Sequence, residues 1–153
     1  MLINAIYRAT EGEGIHLGSP QIFVRFQGCH LGCINCDSKD TWDFSLGEKH
    51  SLDYVLQQVS ALSFHGKIKR VSITGGDPTH PQHEKDVLAL VHQLKEKKYW
   101  VNLEASGTRV VHEIFDVIDF ISWDYKTPSS GVKDNLSLLE KLAQDYPGRF
   151  QIK

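Results

Sequence analysis

The chain has 153 residues, and its 17 lysines and arginines nearly balance its 19 aspartates and glutamates, giving a net charge of −2. This balance provides no basic surface of the kind that binds nucleic acid or an anionic membrane. No apolar run approaches the roughly 20 residues of a membrane-spanning helix, and no secretory leader pattern opens the sequence. We therefore expect one domain over residues 1–153, located in the cytoplasm, that acts on a small molecule without nucleic-acid or membrane partners.

The first predicted element is a strand over residues 21–26, which are mostly β-branched and aromatic. A short loop over residues 29–36 follows and contains every cysteine of the chain. A helix is predicted over residues 52–62, because apolar residues recur there at helical spacing after Ser51, a suitable N-cap. A second strand, residues 70–74, ends at the sequence Gly-Gly-Asp-Pro.

The remaining elements continue the same alternation. A second helix is predicted to begin near Pro81, a favourable first-turn residue, and to carry one apolar face. After it we predict a strand over 100–104, a helix over 110–117, a strand over 120–124, a helix over 134–144 and the start of a strand over 150–153.

Alternating strands and helices favour right-handed βαβ units and a mostly parallel sheet. In such sheets the functional groups gather at the carboxyl ends of the strands. Each unusual loop follows a predicted strand: the cysteine loop, Gly-Gly-Asp-Pro, Glu-Ala-Ser-Gly-Thr and Asp-Tyr-Lys-Thr-Pro-Ser-Ser-Gly. The sequence therefore predicts an α/β fold, a partial (β/α) barrel with one site at the rim where these loops meet.

Cys29, Cys33 and Cys36 have the spacing C-x3-C-x2-C, and three thiolates on one loop can hold three irons of a 4Fe-4S cluster. The fourth iron is then open to a chelating ligand with adjacent amino and carboxylate groups. A disulfide plus a free thiol is one alternative, but the cysteine count is odd and no secretory signal precedes it. Zinc held by the three thiolates and His30 is a stronger one, although His30 adjoins Cys29 and tetrahedral sites usually combine two separated ligand pairs.

This spacing resembles the signature of the radical-SAM superfamily, whose members bind S-adenosylmethionine (SAM) at the open iron and whose fold is a partial (β/α) barrel. In that superfamily a Gly-Gly-Glu-Pro motif holds the amino group of SAM. Here the matching residues are Gly75, Gly76 and Asp77, and glycine lets the backbone adopt positive φ and approach a ligand closely. Because Asp77 replaces glutamate, backbone carbonyls are the expected contacts.

Two further loops carry polar residues to the same rim. Glu104 and Ser106 could hydrogen-bond the ribose and methionyl parts of SAM, while Asp124 and Lys126 could pair with its hydroxyls and carboxylate. Each residue taken alone would be an ordinary solvated strand end. Their shared position at one rim is what favours a binding role.

Residues 10–14 form a glycine-spaced acidic loop ahead of the first predicted strand. The carboxylates of Glu11 and Glu13 suit the donor edge of a purine or pterin, which presents N–H groups. Arg25, if its side chain points inward, would be a bidentate partner for a substrate carboxylate. A surface turn and an exposed arginine are the alternatives.

Together these motifs resemble the 7-carboxy-7-deazaguanine synthase family from about residue 9 to residue 131. The resemblance implies a radical-mediated ring contraction of 6-carboxy-5,6,7,8-tetrahydropterin to 7-carboxy-7-deazaguanine, with loss of ammonia, on the path to queuosine and related 7-deazapurines. It further implies a 4Fe-4S cluster, SAM and Mg²⁺ as cofactors, an electron donor such as flavodoxin or ferredoxin, and a homodimer.

The same resemblance implies roles for individual residues. Cys29, Cys33 and Cys36 would hold the cluster, and Ser38 matches the hydroxyl residue that binds magnesium, which prefers hard oxygen ligands. Substrate contacts are implied at Thr10, Glu11, Gly12, Arg25 and Thr74, and contacts to SAM at Gly76, Asp124, Tyr125 and Lys126. From their places in the same loops, we also expect Glu13 at the substrate and Asn35, Gly75, Asp77, Glu104 and Ser106 at the cofactor. Glu11 departs from the usual glutamine, and Asn35 stands where an aromatic residue is frequent.

Members of this family usually continue well past the strand near residue 150, so we expect either a short variant or part of a longer protein. Two other functions stay open. A radical-SAM activase for a glycyl-radical protein is an enzymatic alternative, which the acidic loop and Arg25 make less favourable than a small-molecule enzyme. A non-catalytic metal-binding module is the alternative from another class.

Overall fold

A computed structural model of the chain describes residues 1–133 and 136–153. Its strands are β1 Leu2–Thr10, β2 Pro20–Phe26, β3 Glu48–Lys49, β4 Arg70–Gly75, β5 Trp100–Ala105, β6 Phe120–Trp123 and β7 Phe150–Ile152. Its α-helices are α1 Leu52–Leu62, α2 Glu84–Glu96, α3 His112–Phe115 and α4 Leu136–Asp145. Short 3-10 helices cover Gly14–His16, Lys39–Thr41 and Pro128–Ser130. The five predicted strands are confirmed to within one residue at each end.

The strands form one sheet of seven, in the order β3-β1-β2-β4-β5-β6-β7. Strands β2, β4, β5, β6 and β7 are parallel, whereas β1 pairs antiparallel with both β2 and β3. Each parallel neighbour requires a crossover connection, and one α-helix lies in each of these connections. The sheet does not close on itself. This confirms the predicted α/β fold with a mostly parallel sheet.

Helices α1 and α2 pack their apolar faces against the sheet. The fully buried residues that form this contact include Val55, Val59, Val87, Leu90, Val91 and Leu94 from the helices, and Val71, Ile73, Val101 and Leu103 from the strands. Ser51 is confirmed as the N-cap of α1, because its hydroxyl accepts a hydrogen bond of 3.2 Å from the backbone N–H of Tyr54. The core thus fixes β4 and β5, whose carboxyl ends carry site residues.

Strand β1 was not predicted from the sequence. Its nine residues do not alternate strictly between apolar and polar side chains, and of them only Ile3 is buried. Its regularity comes from pairing along β2, with a register irregularity between Ile3 and Ala5. Long-range pairing therefore determines this segment where local pattern does not.

Three helices differ from their predicted limits. Helix α2 begins at Glu84 instead of near Pro81, because the preceding residues form turns closed by the bond from the His83 N–H to the His80 carbonyl, 2.8 Å. Helix α3 is a single turn within the predicted range 110–117. Helix α4 begins at Leu136, and the first two residues of its predicted range, 134 and 135, lie outside the described residues. No helix in the described parts of the chain is long and apolar enough to cross a membrane.

Candidate active site

A cavity of about 400 Å³ lies at the carboxyl ends of the parallel strands. Most of the residues predicted for the site line it together: Glu13, Arg25, Cys29, Cys33, Asn35, Cys36, Ser38, Thr74, Gly75, Gly76, Glu104, Ser106, Asp124, Tyr125 and Lys126. Four predicted residues are not part of this lining: Thr10, Glu11, Gly12 and Asp77. The strand ends have therefore brought segments up to about a hundred residues apart to one space, as expected for a parallel sheet.

The three cysteines are free thiols on the loop that follows β2. Cys36 Sγ accepts two hydrogen bonds, from the indole N–H of Trp42 at 3.3 Å and from the backbone N–H of Ser38 at 3.4 Å. Such donors suit a sulfur that carries negative charge, as a metal-bound thiolate does. Burial raises the pKa of Cys29, and the backbone N–H of Leu31 opposes this only in part.

The donor set fits a 4Fe-4S cluster better than a single metal ion. Within residues 1–133 and 136–153, no three His, Cys, Asp or Glu side chains converge at distances that would hold one ion. The three cysteines nevertheless all face one cavity, with N–H donors beside Cys36 and no disulfide between them. Three thiolates that line one cavity match a cluster that leaves one iron for another ligand.

Gly75 and Gly76 are required by the packing of two loops. Gly75 has φ +125°, and a Cβ there would collide with the backbone of Phe26 at the end of β2. A Cβ on Gly76 would collide with the carbonyl of Gly28, just before the first cysteine. Both glycines also line the cavity. Their lack of a side chain therefore seats the Gly-Gly-Asp-Pro loop directly against the base of the cysteine loop.

Asp77 is fully buried behind the cavity wall and organises its own loop. Its Oδ1 accepts hydrogen bonds from the backbone N–H and the hydroxyl of Thr79, at 3.0 and 2.6 Å. The Thr79 hydroxyl lies 3.4 Å from that of Ser106, which does line the cavity. The carboxylate thus links the loop after β4 to the loop after β5.

The loops after β5 and β6 approach each other at Gly107. This residue has φ +82°, and a Cβ there would overlap the backbone carbonyl of Asp124. The Asp124 backbone N–H also donates to the Ala105 carbonyl at 3.0 Å. Only glycine fits between the two loops, so Gly107 helps to set the position of Asp124.

Arg25 faces the cavity from the end of β2, where it is the register partner of Thr74 of β4. One of its terminal nitrogens donates to the Tyr7 hydroxyl at 3.0 Å, and its guanidinium lies 5.7 Å from the centre of the Tyr7 ring. Its Nε is buried and has no hydrogen-bond partner among the described residues. Because the residue lines the cavity, its guanidinium could bind an anionic group there.

Carboxylates and lysines alternate across the other side of the cavity. Lys126 Nζ contacts Asp124 Oδ2 at 2.6 Å, and Lys153 Nζ contacts Glu13 Oε1 at 2.6 Å and Glu104 Oε2 at 3.3 Å. Burial alone would lower the pKa of both lysines, but the adjacent carboxylates outweigh it, so the pKa of each lies above its ordinary value. Both ammonium groups are therefore charged near neutral pH.

Glu11 and Ser38 hold local structure. The buried carboxylate of Glu11 accepts bonds from the Gln21 side chain at 2.8 Å and from the Gly12 backbone N–H at 2.9 Å, which fixes the start of the acidic loop. The Ser38 hydroxyl donates to Asp37 Oδ1 at 2.8 Å, and both residues line the cavity. Ser38 and Asp37 thus place two hard oxygen ligands side by side beside the last cysteine.

Seven residues of the cavity lining were not predicted: Leu31, Asp37, Trp42, Ala105, Thr127, Ser130 and Lys153. Asp37 adjoins the last cysteine and could have been found from that position. Lys153 follows β7, so it could have been found from the rule that functional groups gather at the carboxyl ends of parallel strands. Trp42 carries no local signal, because its contact with Cys36 depends on the turn formed by Lys39–Thr41.

Comparison with known proteins agrees with this geometry. Residues 10–119 match the family model described as a 4Fe-4S single cluster domain. The 7-carboxy-7-deazaguanine synthase of Pyrobaculum aerophilum is 34% identical over 131 residues, which are 84% of this chain and 56% of that protein. The protein of the same name from Bacteroides thetaiotaomicron is 31% identical over 147 residues, 96% of this chain and 71% of that protein.

The fold has a solved counterpart in the crystal structure of QueE from Escherichia coli, with a TM-score of 0.61 and 24% sequence identity. The similarity covers 99% of this chain and 81% of that one. By contrast, this chain spans only 56% of the length of the Pyrobaculum relative. The comparison therefore concerns the part of those proteins that contains the cysteine loop and the parallel strands.

Proposed function

Because the chain belongs to the 7-carboxy-7-deazaguanine synthase family, we propose that it converts 6-carboxy-5,6,7,8-tetrahydropterin to 7-carboxy-7-deazaguanine, with loss of ammonia. The observation that carries this proposal is the sharing of one cavity by three free cysteines, an arginine and a set of carboxylates. A cluster site alone would require neither the arginine nor the carboxylates. A small heterocycle with both a carboxylate and N–H donors requires both.

Cys29, Cys33 and Cys36 would hold the 4Fe-4S cluster, with SAM as the ligand of the open iron. When bound, this pair supplies an electron for reductive cleavage of SAM and so initiates radical chemistry on the substrate. The side chains of Asp124 and Lys126 already pair at 2.6 Å and would orient the SAM polar groups from the end of β6. Ser106, held through Thr79, would contact it from the loop after β5.

The substrate half of the cavity lies between the acidic loop and the ends of β2 and β4. Arg25 would bind the substrate carboxylate through its free nitrogens, and Glu13 would accept hydrogen bonds from the pterin N–H edge. The Thr74 hydroxyl donates to Glu104 Oε2 at 2.9 Å. This bond would hold the Glu104 carboxylate between SAM and the pterin. Ser38 and Asp37 would hold Mg²⁺ through oxygen atoms. A reducing, cytoplasmic location would keep the three thiols free of disulfides.

The test of this function is anaerobic incubation of the reconstituted protein with SAM, a reductant, Mg²⁺ and the carboxytetrahydropterin. We expect 5′-deoxyadenosine to form faster when the pterin is present. Its formation at the same rate without pterin would count against the synthase and favour an activase or an uncoupled module. We also propose a flavodoxin or ferredoxin as electron donor. We further propose a homodimer in solution, which sedimentation analysis would test.

Arg25→Ala is expected to weaken binding of the carboxytetrahydropterin by about 10- to 100-fold, the effect of losing a charge-assisted hydrogen bond. Iron and sulfide content should not change, because the side-chain contacts of Arg25 among the described residues are with Tyr7 and not with a cysteine. Arg8→Ala, on the exposed part of β1, is the matched control. Equal loss of the cluster in Arg25→Ala would show that Arg25 supports the cysteine loop rather than the substrate.

A further inference from the structure

Lys153 is in contact with carboxylates from three separate segments of the chain. Its Nζ lies 2.6 Å from Glu13 Oε1, 3.3 Å from Glu104 Oε2 and 3.9 Å from Asp124 Oδ1. The backbone of Lys153 is fixed by pairing with β6: its N–H donates to the Trp123 carbonyl, and its carbonyl accepts from the Tyr125 N–H, both at 2.9 Å. The ammonium group is thus held in the cavity by the sheet itself.

The three carboxylates depend on this lysine to different extents. Asp124 also pairs with Lys126 at 2.6 Å, and Glu104 also accepts the Thr74 hydroxyl at 2.9 Å. Within the part of the chain that the structure describes, the Glu13 carboxylate has no second hydrogen-bond donor or cation. Loss of the Lys153 ammonium would therefore release Glu13 most.

A second contact between the same segments supports this dependence. Gln151, two residues earlier on the same face of β7, accepts a hydrogen bond of 2.9 Å from the Ile15 N–H. The Gln151 side chain also fills the space beside Gly14, where a Cβ would collide with it. The acidic loop and Ile15 after it thus contact residues 151 and 153 at two points, and of these two residues it is Lys153 that contacts a carboxylate of the loop.

We propose that Lys153 is a positioning residue that holds Glu13 at the substrate side of the cavity and thereby sets the affinity for the pterin N–H edge. The inference rests on the proposed function, since Glu13 must meet the substrate for its position to matter. Lys153 itself acts through Glu13. It should therefore affect substrate binding far more than SAM binding.

The experiment measures two dissociation constants on the anaerobically reconstituted protein, one for SAM and one for 6-carboxytetrahydropterin with SAM present. We expect Lys153→Met to weaken pterin binding about tenfold and SAM binding by less than about threefold. Lys153→Arg should recover part of the pterin affinity, because it keeps the charge. Lys97→Met, at the exposed end of α2, is the control and should change neither constant.

A double-mutant cycle isolates the proposed coupling. In a Glu13→Gln background, Lys153→Met should weaken pterin binding by less than about twofold further, because either change alone already removes the contact between the Lys153 ammonium and the Glu13 carboxylate. Additive effects, or equal losses of SAM and pterin affinity in Lys153→Met, would overturn the inference. If the unmodified protein itself does not bind the pterin, the proposed function fails instead. Thermal unfolding of each variant identifies a loss that is merely one of folding.

Discussion

Cys33→Ala is expected to abolish retention of the iron–sulfur cluster. Unmodified protein reconstituted anaerobically should contain about four irons and four sulfides per chain, and the variant close to none, because two cysteines on a flexible loop cannot hold a cubane stably. The chain has only three cysteines, all in this loop, so no other thiol can replace Cys33. Iron and sulfide analysis after removal of unbound metal measures the effect.

Ile34→Ala is the matched control for this change. Ile34 lies in the same loop, between two of the cysteines, but its side chain is 69% exposed. Ile34→Ala should retain the cluster. Loss of the cluster in Cys33→Ala would then be due to the missing thiolate and not to a disturbed loop. Full iron and sulfide in Cys33→Ala would contradict the three-thiolate assignment, as would about one zinc and no sulfide in the unmodified protein.

Gly107→Ala should have the largest effect on stability among single substitutions at the cavity rim. The new alanine would have to keep a left-handed backbone conformation, and its Cβ would overlap the Asp124 carbonyl. The loops after β5 and β6 would therefore have to separate. We expect a loss of about 4 kcal/mol or more in the free energy of unfolding, in the range typical of severe steric changes. Chemical denaturation of the purified variant measures this.

Gly148→Ala separates the two causes of that loss. Gly148 has φ +74°, close to that of Gly107, but no atom lies within 4 Å of its added Cβ. Its substitution should therefore cost only the left-handed strain of about 1–2 kcal/mol. Similar losses in the two variants would mean that the close approach of the loops is not what Gly107 provides.

The parallel strands could be predicted because their signal is local. Segments such as Arg70–Gly75 and Trp100–Ala105 are short, bounded by turns and largely alternate apolar with polar residues. Their alternation with helices leaves few topologies. The cavity then followed from the rule that loops at the carboxyl ends of strands meet. For this reason most of the predicted site residues line one space.

The parts that were not predicted depend on contacts distant in sequence. Strand β1 is regular only because it pairs with β2, and Trp42 reaches Cys36 only through the intervening turn. Asp77 was expected at the ligand, but its burial and its bonds to Thr79 depend on how the loop folds back. Sequence spacing identified which segments meet, and packing determined which way each side chain points.

The most direct test of the account is detection of the product. Protein with a reconstituted cluster, incubated anaerobically with SAM, reductant, Mg²⁺ and 6-carboxy-5,6,7,8-tetrahydropterin, should yield 7-carboxy-7-deazaguanine, identified by mass and by co-elution with a standard. The yield should fall to background in Cys33→Ala. Protein that retains a full cluster and cleaves SAM but forms no deazaguanine would contradict the proposed synthase.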